Sequence, residues 1–100
     1  MVVITPEQVG RLRVLVADDD PGSAASVAEL VRMLGHEPVV ADGGTRAVEI
    51  ASTTPIDVAL LDINLKGEQS FPAAETLRKR GKPFLFVTGY GALGMHGTDF

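Results

Sequence analysis

The stretch RLRVLVADDDPG, residues 11–22, runs an apolar segment directly into three adjacent carboxylates and then breaks at Pro21 and Gly22. Leu12 to Ala17 is short, almost continuously apolar and bounded by turn residues, the pattern of a strand buried on both faces of a helix-covered sheet. Asp18, Asp19 and Asp20 close that strand. Like charges at such spacing repel, a cost tolerated where the site is solvated or where something positive is held.

The chain beyond this segment repeats the alternation. After Gly22, Ser23 suits a helix N-cap, and Val27, Leu30, Val31 and Leu34 fall at helical spacing, with Gly35 where helices commonly end. Pro38 to Ala41 is a second apolar run. Asp42, Gly43 and Gly44 make a turn, and Thr45 is positioned to cap a helix that carries Ala47, Val48 and Ala51 on one face and closes at Pro55. Ile56 to Leu61 is a third run, ending abruptly at Asp62. The segment DINLKGEQS, residues 62–70, reads as a loop leading to Ser70 and Pro72, cap and first-turn residues of a third helix with Ala73, Ala74 and Leu77 inward and Gly81 beyond its basic end. Phe84 to Val87 is the fourth run and stops at Thr88.

Strands alternating with helices predict an α/β fold with a parallel sheet and right-handed crossovers. Residues 1–10, where Thr5, Pro6 and Gly10 interrupt any period, read as a leader, and 11–100 as one domain. From Gly89 onward, GYGALGMHGTDF is too rich in glycine for a comfortable helix and reads as a loop or tail.

Composition narrows the function classes. One hundred residues, 45% hydrophobic and 22% charged, fit one soluble domain with a single modest core. A net charge of -4, with Arg78, Lys79 and Arg80 the only basic cluster, argues against a nucleic-acid partner. Cysteine is absent, which excludes disulfides, zinc-thiolate sites and thiol nucleophiles. No apolar run is long enough for a signal peptide or a membrane span, so a cytoplasmic protein is expected.

Parallel strands deliver whatever terminates them to one edge of the sheet, where such folds place their ligands. Here that edge would receive Asp18, Asp19 and Asp20 from the first strand, Asp62 from the third and Thr88 from the fourth. A donor set of hard oxygens without His or Cys suits Mg²⁺.

The segments VLVADDD, LLDINLKG and FLFVTGYG, in this order and spacing, resemble the receiver domain of two-component response regulators, over roughly Leu12 to Gly91. The resemblance implies a flavodoxin-like, doubly wound parallel sheet of strand order 2-1-3-4. It implies that Asp62 is the phosphoacceptor, that Asp18, Asp19 and Asp62 hold Mg²⁺ with the backbone carbonyl of Asn64, and that the Thr88 hydroxyl hydrogen-bonds the phosphoryl group. It further implies a histidine kinase or phosphotransfer protein as donor and an output partner that reads the added charge.

The chain also departs from that family. The usual fifth strand with its aromatic, the Lys that follows it and the last helix have no counterpart before Phe100, so the domain is expected to be incomplete at its C-terminus. Lys66 stands where the family usually has Pro and is at most a weak substitute for the missing Lys. FVTGY is similar to the motif of a receiver subgroup that often stands alone and has a pliable loop in place of the fourth helix.

Other readings of the same residues stand beside this one. Asp18 and Asp20 have the Asp-x-Asp spacing of haloacid-dehalogenase-like phosphatases, although the Lys and later acidic pair of that family are missing. A binding module with a vestigial acidic edge is the third reading. Asp20 alone reads as an Asx-type turn residue before Pro21. His36, His96 and the Arg78–Arg80 cluster read as solvated, and Tyr90 as packing or partner-facing. Phe84 to Val87, at the edge of the sheet, is expected to invite a dimer through strand pairing.

Overall fold

The computed structural model describes residues 10–65 and 68–87. Strand β1 (Arg13–Ala17) ends at Asp20, which caps helix α1 (Pro21–Met33): its side-chain Oδ2 accepts the Ser23 N–H at 2.8 Å. The cap expected at Ser23 therefore lies three residues earlier. Pro21 at the first helical position explains the shift, because its fixed φ and missing N–H suit that place and leave Asp20 as the last extended residue. Gly35, at φ +89°, ends α1 as expected, with its own N–H bonded to Arg32 O and that of His36 to Val31 O.

Strand β2 (Glu37–Ala41) is followed by α2 (Gly44–Thr53), whose N-cap is Gly43 rather than Thr45. Strand β3 (Val58–Asp62) comes next. The segment read as a loop holds a short antiparallel hairpin of β4 (Asn64–Leu65) and β5 (Glu68–Gln69), with Asn64 opposite Gln69. Runs of two residues carry too little periodicity to be seen in a sequence. Helix α3 (Phe71–Lys79), with Ser70 as N-cap and Pro72 in its first turn, and strand β6 (Phe84–Val87) complete the described elements.

The main sheet is wholly parallel, in the order β2-β1-β3-β6. This is the expected 2-1-3-4 order, with β6 as its fourth strand. Alternation along β1 divides the interior in two. Val14 and Val16 meet α1 through Val31 and Val27, while Leu15 and Ala17 meet α2 and α3 through Ala47, Ile50, Ala51, Ala73, Ala74 and Leu77. One helix on one face and two on the other is the doubly wound arrangement.

The contact stripe of α1 differs from the expected one. Ala24, Ala28 and Val31 are buried, whereas Leu30 and Leu34 are 56% and 67% exposed. Alanine lets the helix axis approach the sheet closely, and the larger leucines are then turned outward. On α2, Ile50 joins Ala47 and Ala51 in the core, and Val48 packs only partly. The three residues expected inward on α3 are all buried.

Two polar residues read as solvated are structural. His36 Nδ1 accepts the Leu12 N–H at 3.0 Å, tying the start of β1 to the turn before β2. The Arg80 guanidinium donates to the carbonyls of Ala51 and Thr54, closing the C-terminal end of α2 from α3. Among the described residues no helix is long and apolar enough to cross a membrane. The leader 1–10 apart from Gly10, as well as Lys66, Thr88, Tyr90, His96 and the glycine-rich tail, lies outside the described residues.

Candidate functional site

Because β1 and β3 are adjacent and parallel, with Ala17 opposite Leu61, the residues that follow them arrive side by side at one edge. Asp18 extends the β1 ladder by one residue, its N–H donating to Ala41 O of β2 at 3.0 Å. Asp62 is the last residue of β3 and lies opposite Val87 of β6. Asp18, Asp19 and Asp62 each bring a carboxylate oxygen within 4.8 Å of the other two. Two segments far apart in sequence thus place three carboxylates in one small volume.

Burial differs across the cluster. Asp18 is 7% exposed, and Asp19 and Asp62 are half-buried. Asp18 is held in place, since its Oδ1 accepts the Asp20 N–H at 3.0 Å. Three negative groups gathered this closely repel one another, and a divalent cation among them reverses the sign of that energy. The donor set fits such an ion. An octahedral cation with oxygens at about 2.1 Å separates its ligands by roughly 3 Å when adjacent and roughly 4.2 Å when opposite, within the span found here. Carboxylates without His or Cys select a hard cation.

A groove of about 540 Å³ opens from the cluster along α1 toward β2, lined by Asp18, Asp19, Ala24, Ala28, Arg32 and Asp42 among others. Asp42, read from sequence only as a turn residue, thus shares the vicinity of the acidic pair. Asp20, the third carboxylate of the opening stretch, does not join the cluster. Its side chain is turned to the N-terminus of α1, which leaves an Asp18–Asp20 phosphatase pair without its second member. An Asp directly before a Pro at the first helical position is the signal that could have identified this cap. Asn64 follows Asp62 by two residues, in β4. Thr88 is outside the described residues, though the residue before it, Val87, accepts the Ile63 N–H at 3.1 Å and so ends β6 beside Asp62.

A family profile described as the response regulator receiver domain matches residues 14–97. The chain belongs to the response regulator receiver family. Among its relatives, the nitrate/nitrite response regulator protein homolog of Haemophilus influenzae is 36% identical over 73 residues, 71% of this chain and 35% of that protein. The signal transduction histidine-protein kinase BarA of Shigella flexneri is 26% identical over 98 residues, 94% of this chain and 11% of the kinase. The crystal structure of a CheY-like response regulator receiver domain protein from Methanospirillum hungatei superposes with a TM-score of 0.73 at 25% identity, covering 83% of this chain and 68% of that one. The chain therefore spans about a third or less of the length of these two sequence relatives. As a receiver, it is a signalling module that takes a phosphoryl group onto its own acidic site.

Proposed function

We propose that Asp62 is the phosphoacceptor, that Asp18, Asp19 and Asp62, with the Asn64 backbone carbonyl, hold Mg²⁺, and that the Thr88 hydroxyl hydrogen-bonds the phosphoryl group once it is on Asp62. The observation that carries this reading is the convergence of one oxygen each from Asp18, Asp19 and Asp62 within 4.8 Å. A carboxylate oxygen of Asp62 attacks phosphorus as the N–P bond of a phosphohistidine breaks. The electron pair of that bond returns to the imidazole, and Asp62 is left as an acyl phosphate. Mg²⁺, when bound, neutralises the negative charge that accumulates between acceptor and phosphate. Asp18, held by the Asp20 N–H, and Asp19 keep their oxygens beside the acceptor. Placement at the end of a buried strand fixes Asp62 before the donor arrives, which lowers the orientational cost of attack.

The donor in this reading is the phosphohistidine of a kinase or phosphotransfer protein, a partner consistent with a kinase among the chain's relatives. The transfer takes place in the cytoplasm, and the charge added at Asp62 is read by an output partner. Acetyl phosphate replaces the donor in the test. With Mg²⁺, intact-mass measurement is expected to find a single added phosphoryl group, absent from Asp62→Asn and absent in chelator. Labelling that persists in Asp62→Asn would move the acceptor elsewhere, and no labelling of the wild type under these conditions would overturn the proposal.

A further inference from the structure

We infer that Asp20 is a positioning residue for the cation site, holding Asp18 in orientation through a relay that begins at the N-terminus of α1; this rests on the reading of Asp18 as a metal ligand. Two hydrogen bonds make the relay. The Ser23 N–H donates to Asp20 Oδ2 at 2.8 Å, and the Asp20 N–H donates to Asp18 Oδ1 at 3.0 Å. A third bond anchors the same residue, from the Ala24 N–H to Asp20 O at 2.8 Å.

Asp20 is exposed and has the extended backbone of an N-cap, φ -95° and ψ 115°. Its side-chain cap and its carbonyl bond together fix that conformation, and the conformation aims its N–H at Asp18. Nearly buried Asp18 has few ways to rotate once one of its oxygens is engaged. Its carboxylate plane is then set by α1 rather than by the cation, so the geometry exists before any ion arrives. A partner that orients a ligand in this way typically contributes tenfold or more to metal affinity. The charge of Asp20 is directed at the helix terminus, where the helix dipole and the Ser23 N–H favour it, and its carboxylate does not join the ligand cluster.

The relay needs an acceptor at position 20 and not a negative charge. In Mg²⁺ titrations followed by calorimetry on the full chain, Asp20→Ala is expected to bind roughly tenfold more weakly than wild type. Asp20→Ser and Asp20→Asn, which keep a capping oxygen, are expected to stay within about threefold of wild type, a pattern of rescue that a purely electrostatic role would not give. Asp20→Gly guards against loss of α1, since glycine is tolerated at an N-cap while supplying no side-chain acceptor; it is expected to match Asp20→Ala in Mg²⁺ affinity with its far-UV circular dichroism intact. Wild-type affinity in folded Asp20→Ala or Asp20→Gly would overturn the inference. So would equal weakening in Asp20→Ser and Asp20→Asn, which would make Asp20 a charge or a ligand. A wild-type protein that takes up no Mg²⁺ would instead overturn the reading of Asp18, and the inference with it.

Discussion

Each of the three adjacent carboxylates that close β1 has a different environment. Asp18 is buried and fixed, Asp19 is half-buried beside it, and Asp20 is exposed and committed to the helix. Asp18 and Asp19 share their space with Asp62, so removing one charge should relieve repulsion as well as remove a ligand. Asp19→Asn is expected to raise the stability of the metal-free protein by up to about 1 kcal/mol, the Coulomb energy of two charges at this separation in a water-like medium. It is also expected to lose most of the stabilisation that Mg²⁺ gives the wild type, because an ion bound only to the folded state adds stability as its concentration passes its dissociation constant. Thermal melts with Mg²⁺ and with chelator measure both effects, and a metal-free Asp19→Asn that melts below wild type would contradict the first.

At the scale of elements, the termini of helices and strands do the positioning. Arg80 reaches from the end of α3 to the carbonyls that close α2, whereas Arg78 pairs with Glu75 on the exposed face. That hydrogen bond from Arg78 holds the Glu75 carboxyl below its usual range, but the pair is exposed and contributes little to folding. Leu77→Ala, in the contact of α3 with the sheet, is expected to cost about 3 kcal/mol in denaturant unfolding. Gly81→Ala is expected to cost about 1 kcal/mol through its φ of +73° alone, since a Cβ there would meet no atom within 4 Å. The four strands of the main sheet are legible in the sequence because each is an apolar run ending at a polar residue, and Gly35 and Gly81 mark helix ends because the left-handed conformation there favours glycine. The caps of α1 and α2, Asp20 and Gly43, are not legible in the same way, since Ser, Thr, Asp and Gly compete within a few residues of one another. Nor is the exposure of Leu30 and Leu34 legible there, because periodicity selects a face without revealing that alanines allow a closer approach at its centre.

Across the whole molecule, the two edges of the described sheet differ. Strand β2 carries Glu37 and Pro38, features that discourage further pairing, and β6 has neither charge nor proline. Pro83 O accepts the Ala59 N–H of β3 and Val87 O the N–H of Ile63 just past it, so alternation turns the backbone N–H and C=O of Phe84 and Phe86 away from β3. Pairing through this edge is expected to give a dimer at micromolar concentration in sedimentation, reduced by Phe86→Pro, which deletes an outward donor; a strictly monomeric wild type would contradict that expectation. The acidic site depends on the opposite property of the sheet, the common direction of its strands, which gathers Asp18, Asp19 and Asp62 from distant parts of the chain. Titration of isotopically labelled protein with Mn²⁺, a paramagnetic substitute for Mg²⁺, tests that convergence most directly. The amide signals of Asp18, Asp19 and Asp62 are expected to broaden together and first, and to be spared at the same Mn²⁺ concentration in both Asp18→Asn and Asp62→Asn; broadening that begins elsewhere, or that survives Asp62→Asn unchanged, would contradict the account.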